Sequence, residues 1–281
     1  MKTTHAFIFL LLLMLSIACS EGNSSQQTTN SPFKAGIYTH ASFQSTQRGK
    51  VDYNVYLPPN WSKDAFNAYP LIVLLHGQGE DEYTFLNALP ADSLNSWMNQ
   101  QLIPETIIIA LRGGKNTNDM QWYTNPNEVM ITSNEQGELR DYASKQFNTS
   151  MNSAQISVIG HSRGATGALN FALYFPSKFA SVVSSAFVSD YAIDRLKQAA
   201  HQNLNQILKS GVQIKMLIGN KDQYVLNNNR KGSPIMNRFL NQKGIPNTLQ
   251  VIPNKTHRLH ELWEYPTNLN YLQFCSKSWK K

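Results

Sequence analysis

Cysteine is nearly missing from this chain, with only Cys19 and Cys275 among 281 residues. A scaffold stapled by disulfides is thereby excluded, and the fold must rest on a hydrophobic core. A comfortable transmembrane helix of roughly 20 apolar residues is also lacking, because the run from Ala6 to Ala18 stops short at Cys19. The chain has no internal repeat and no second linker. No grouping of His, Asp and Cys has metal-ligand spacing, so neither a metal nor another cofactor is required. The formal charge is +7, and setting Lys2 aside leaves 7 − 1 = +6. Apart from Lys277, Lys280 and Lys281 the positive residues are scattered, which is no nucleic-acid footprint. No nucleic-acid partner is expected.

What is present at the N-terminus reads as a secretory signal. Lys2, the apolar run to Ala18 and small residues before a cut have that form. Ser16-Ile17-Ala18-Cys19 resembles the bacterial lipobox, which implies residues 1–18 as signal and Cys19 as the lipidated mature N-terminus. Ser20 then implies the outer membrane, with a lipid anchor as the membrane contact; a plain secretory signal is the alternative. Residues 19–35 are polar and aperiodic and read as a flexible tether. Residues 36–281 are enough for one large domain.

Along that domain, strands and helices alternate, which predicts a mostly parallel sheet with helices on both faces. Val51–Leu57 alternates like an antiparallel edge strand. Leu71–Leu75 and Thr106–Leu111 are continuous apolar runs, the pattern of strands buried on both faces. Between them the spacing of Leu86, Leu94, Trp97 and Met98 predicts a helix. Ser133 and Gln136 form a candidate capping box before a helix with Leu139, Tyr142, Ala143 and Phe147 on one stripe. Further on, the pattern predicts strands at Ala180–Val188, Val212–Ile218 and Thr248–Ile252. One helix is expected from Ile193 to Leu208, another around Ile235–Leu240, and a closing one through Leu262, Leu269 and Leu272.

The most informative stretch is Gln155–Pro176. Its apolar strand leads into Gly160-His161-Ser162-Arg163-Gly164 and then an apolar helix. A G-x-S-x-G between strand and helix has the form of a nucleophile elbow, with Ser162 at the tip of a strained turn. The bland reading is a glycine-rich turn carrying an ordinary serine. Serine needs a base that titrates near neutrality, which points to histidine. His257, just past the last strand, fits best; His260 is the alternative. An orienting carboxylate is expected from Asp222, with Asp190 and Asp194 as rivals. Oxyanion N–H groups are expected from Arg163 and from Gly77 or Gln78, in the turn after Leu71–Leu75.

Gly-His-Ser-Arg-Gly with the following helix and strand, then LLHGQGEDE, QWYTNPNE, GNKD and the His257–Trp263 segment, resemble a known family from about Val51 to Trp263. It is the esterase branch of the α/β-hydrolases, which includes esterase D, feruloyl, acetyl-xylan and enterochelin esterases and mycolyltransferases. The resemblance implies the α/β-hydrolase fold and a serine esterase using Ser162, His257 and Asp222 on small-molecule or polymer-derived esters. Arg163 and Ala165 stand where that family often has methionine and glycine, so an anionic group on the substrate is one expectation. Specificity is expected in loops such as Asn116–Glu128. Acyl transfer with the same residues, or non-catalytic ligand binding in the same cleft, are the alternatives.

Overall fold

The computed structural model describes residues 32–114, 137–188, 192–226 and 232–279. Eight strands form one sheet: β1 (Tyr38–Ser45), β2 (Gly49–Tyr56), β3 (Leu71–Leu75), β4 (Ile107–Leu111), β5 (Ile156–His161), β6 (Ser181–Ser185), β7 (Gln213–Gly219) and β8 (Asn247–Ile252). Their order is β1-β2-β4-β3-β5-β6-β7-β8. The β1–β2 and β2–β4 pairs are antiparallel, and every later pair is parallel.

The apolar runs are continuous because both faces are covered. In β3, Leu71, Val73 and Leu75 join the core on one face, while Ile72 and Leu74 join the core on the other. The first core takes Phe147, Leu169, Leu196 and Met236 from the helices Glu138–Phe147, Arg163–Tyr174, Ala192–Gln202 and Ser233–Gln242. The second takes Trp97 from Ala91–Asn99 and Tyr271 and Leu272 from Thr267–Ser278. Each aliphatic side chain fully buried in this way contributes ~1.5–3 kcal/mol relative to exposure. That burial fixes the strands and leaves their carboxyl ends, at the centre of the sheet, free to carry polar loops.

Several expected elements differ in detail. β2 is not the sheet edge, because β1 covers it from Tyr38–Tyr56 to Ser45–Gly49. β1 escapes a periodicity reading because only Phe43 and Ser45 of its residues are fully buried. His40 lies within β1, with Nε2 3.3 Å from Glu82. The helix holding Leu94, Trp97 and Met98 starts only at Ala91, and Leu86 lies in turns before it. Pro90 explains this, since the residue before a proline is pushed out of helical backbone.

The expected helix from Ile193 to Leu208 is two, Ala192–Gln202 and Leu204–Ser210. They divide at Asn203, whose Nδ2 donates to Leu173 O at 2.9 Å. The closing helix is likewise two, Leu259–Leu262 and Thr267–Ser278, divided around Pro266, which cannot continue a helical hydrogen-bond ladder. The Ser133–Gln136 capping box lies outside the described residues, and the helix after it begins at Glu138 without a side-chain cap. Phe33, within the segment read as tether, packs edge-on against Phe147 with centroids 4.9 Å apart. Among the described residues, no helix is long and apolar enough to cross a membrane.

Candidate active site

β5 ends in a turn that no ordinary residue adopts at ease. Ser162 has φ 53° and ψ −113°, outside the regions open to L-residues without strain. The surroundings hold it there. Ser162 N–H donates to Ser185 O at 2.8 Å, and Ser162 O accepts from Ala165 N–H at 3.1 Å. The flanking glycines explain the sharpness. A Cβ on Gly160 would lie 1.9 Å from Gly164 O, so strand and helix meet there backbone to backbone. A Cβ on Gly164 would lie 1.9 Å from Leu75 O, so this glycine admits the end of β3 and not of its own strand.

Three side chains from separate loops converge on that turn. His257 Nε2 lies 2.8 Å from Ser162 Oγ, and His257 Nδ1 lies 2.7 Å from Asp222 Oδ2. Asp222 is fully buried, and its Oδ1 accepts the Tyr224 N–H at 3.0 Å. With a carboxylate as acceptor, Nδ1 carries the imidazole proton and Nε2 is left to accept from the serine hydroxyl. The acid and base loops touch at Gly219, where a Cβ would fall 2.1 Å from Lys255 O. The base loop is also tied by polar contacts. Glu261 Oε2 accepts from Thr256 N–H at 2.7 Å and from Thr256 Oγ1 at 2.8 Å, and Asn254 N–H donates to Asn220 Oδ1 at 2.7 Å. Of the rivals, Asp194 is exposed on its helix, Asp190 lies outside the described residues, and His260 is exposed on Leu259–Leu262.

Two further histidines, His161 and His76, lie beside the glycine turns that carry Ser162 and Gly77. His161 is buried, its ring 5.3 Å from that of His257. Burial, and secondarily the charge of His257, push its pKa down to about 3, so it sits there neutral. His76 Nε2 accepts the Gly113 N–H at 2.9 Å while Nδ1 lies 2.8 Å from Gly77 O. Burial lowers its pKa as well. It therefore joins the turn after β3 to the loop after β4.

That turn requires a correction. Gly77 N–H, expected as an oxyanion donor, is donated to Glu80 Oε2 at 2.6 Å. Gln78 N–H has no acceptor among the described residues, so of the pair only Gln78 is free to donate. Arg163 opens its helix, where backbone N–H groups lack intrahelical acceptors and the dipole is positive. Glu80 was invisible to sequence reasoning because a carboxylate in a glycine-rich turn reads as solvated; only the fold turns it inward.

Ser162 opens into a cleft of ≈380 Å³ with Gln78, Arg163, Val188 and Tyr224 in its walls. A second lobe of ≈830 Å³ adjoins it, bounded by Thr84, Asn87, Gln223, Arg258 and His260. Glu80, His161, Tyr224 and His257 line both. The loop Asn116–Glu128 lies outside the described residues. Among the described residues, no group of His, Cys, Asp and Glu could hold a metal ion. A hydroxyl bonded to an imidazole that is itself bonded to a buried carboxylate is equipped for nucleophilic attack without one.

The comparisons with known proteins bear on the fold and the family. Residues 44–238 match the family model described as "Putative esterase". No curated protein matches the sequence. Among solved structures, a ferulic acid esterase aligns with TM-score 0.69 at 16% identity, over 86% of this chain and 98% of that one. The feruloyl esterase module from Clostridium thermocellum, complexed with sinapinate, aligns with TM-score 0.66 at 13% identity, over 88% and 90%. S-formylglutathione hydrolase from Staphylococcus aureus aligns with TM-score 0.59 at 19% identity, over 84% and 96%. At such identities the likeness establishes the fold, and the family match covers most of the chain. The chain therefore has the α/β-hydrolase fold and belongs to the esterase family.

Proposed function

We propose that this protein is a serine carboxylic-ester hydrolase working outside the cytoplasm through Ser162, His257 and Asp222. The observation that carries the reading is the unbroken pair of hydrogen bonds from Ser162 Oγ through His257 to buried Asp222. Ser162 Oγ attacks the ester carbonyl while His257 Nε2 takes its proton. Asp222 holds the imidazole in the needed tautomer and stabilises its charged form. The carbonyl oxygen becomes an oxyanion facing the N–H groups of Gln78 and Arg163 at the positive end of the helix Arg163–Tyr174. His257 then returns the proton to the departing alcohol, and a water repeats the sequence on the acyl-enzyme. Losing the nucleophile of such a unit costs several orders of magnitude in rate. Ser162→Ala should therefore abolish turnover of p-nitrophenyl esters and labelling by a fluorophosphonate while circular dichroism stays unchanged. Retained turnover in that variant would rule the reading out.

The location is proposed from the sequence. Residues 1–18 serve as signal, Cys19 carries lipid, and the following polar residues hold the domain from residue 36 off the outer membrane. An acyl chain adds ~0.8 kcal/mol per buried methylene, and several chains anchor far more firmly than one. Replacing Cys19 by Ala should move the protein from the membrane fraction to the soluble one with esterase activity intact. Wild-type protein found free in the periplasm or medium would replace the anchor with plain secretion and leave the chemistry standing.

A further inference from the structure

Among the described residues, Glu80 is the one acidic side chain lining both lobes of the cleft. Its position is set by the Gly77 N–H, which holds Oε2 at 2.6 Å. Ser162 presses on the same glycine, since a Cβ there would lie 2.8 Å from Glu80 Oε2 and 3.1 Å from Ser162 Cβ. The carboxylate is therefore a near neighbour of the nucleophile. Its other oxygen has no hydrogen-bond donor among the described residues. Burial raises the Glu80 pKa, while the Gly77 N–H and then the charge of His257 act to lower it.

The larger lobe shares His257 with the smaller one but not Ser162. His257 protonates the departing alcohol, so the alcohol half of an ester runs past His257 and Glu80 into the larger lobe. The other charges there are differently disposed. Glu261 is occupied by Thr256, and Arg258 is exposed. Arg163 borders only the smaller lobe.

We infer that Glu80 is a specificity-determining residue that favours esters whose alcohol half carries a positive charge close to the ester oxygen, and disfavours those carrying a carboxylate there. This rests on the serine-esterase reading and goes beyond it in naming the charge of the substrate. It also runs against an anion-reading role for Arg163 on the alcohol side.

The test is a matched trio of butyrate esters, of choline, of its uncharged isostere 3,3-dimethylbutanol and of glycolate, assayed at pH 8 and low salt. The wild type should prefer the choline ester over the isostere by about tenfold in kcat/KM, with the glycolate ester poorest. Glu80→Gln keeps an oxygen for the Gly77 N–H and removes the charge, so it should bring the choline-to-isostere ratio to about one. A merely structural role would lower all three rates together and leave the ratio alone. In the wild type, raising salt from about 10 mM to about 0.5 M should also shrink the ratio, which needs no variant to fold. A flat trio in the wild type, or one whose ratio ignores both Glu80→Gln and salt, overturns the inference. Loss of turnover in Ser162→Ala keeps the esterase reading whichever way the trio behaves, whereas turnover surviving there removes both.

Discussion

The nucleophile turn and the base loop are joined by the His257–Ser162 hydrogen bond but are built by different means. Around Ser162, backbone lies against backbone, with Gly160 against Gly164 and Gly164 against Leu75 and His76. Around His257, side chains share the tying with backbone: Glu261 to Thr256, Asn220 to Asn254 and the Lys255–Glu264 ion pair stand beside the Lys221 N–H to Lys255 O bond at 2.9 Å and the close approach at Gly219. The serine turn is strained and must be clamped by interior packing that cannot yield. The base loop sits at the rim, with the His257 side chain 19% exposed, and polar ties suffice to aim it. A nucleophile held rigidly and a base held by adjustable contacts would suit a histidine that serves two proton transfers at slightly different positions.

The contrast is broken most severely at Gly164. An added methyl would press on Leu75 O and His76 O, displacing the end of β3 and the turn that bears Gln78. Gly164→Ala should reduce kcat/KM by about a thousandfold and destabilise the fold by ~3 kcal/mol, in the range of severe overpacking. Steady-state kinetics and urea unfolding read the two effects. Gly219→Ala should be milder, because the loop that its methyl pushes, at Lys255 and Thr256, lies at the surface and can move. We expect kcat to fall about a hundredfold as His257 is carried away from Ser162, with ~1–2 kcal/mol lost from stability. If Gly219→Ala proves as destabilising as Gly164→Ala, the base loop is clamped like the nucleophile turn.

An effect on stability that shows only as pH falls lies where the two regions touch, at His161. Its folded pKa, about 3, is below its ordinary 6.5, so the unfolded chain binds this proton first as pH falls. Stability linked to His161 is thus fully present above pH 6.5 and is lost as pH falls toward about 3, by at most ~1.4 kcal/mol per pH unit. His161→Asn should flatten the decline in unfolding free energy between about pH 6.5 and 5 relative to the wild type. Equal slopes in the two proteins would show that His161 is free to protonate in the folded state.

Much of this could be read before any coordinates, and for identifiable reasons. LIVLL and IIIAL are unambiguous because strands covered on both faces have no polar side to display. Gly160, Ser162 and Gly164 declare themselves because a turn with φ 53° beside two backbone contacts admits few residue types. What was hidden depended on partners distant in sequence. β1 has too little buried surface to show a period, Asn203 divides a helix through a bond to Leu173, and Glu80 faces inward only because Gly77 draws it.

The division follows from how far each force reaches along the chain. Apolar periodicity, proline and glycine act within a few residues, so the strand–helix alternation, the turn at Ser162 and the candidates Asp222 and His257 were determined by sequence alone. Distances between groups 35 and 95 residues apart, such as Asp222 to His257 and Ser162 to His257, depend on strand order and on the packing that fixes it. Only the tertiary structure could therefore bring those three side chains together, deny the Gly77 N–H to an oxyanion, and turn a loop carboxylate toward the nucleophile.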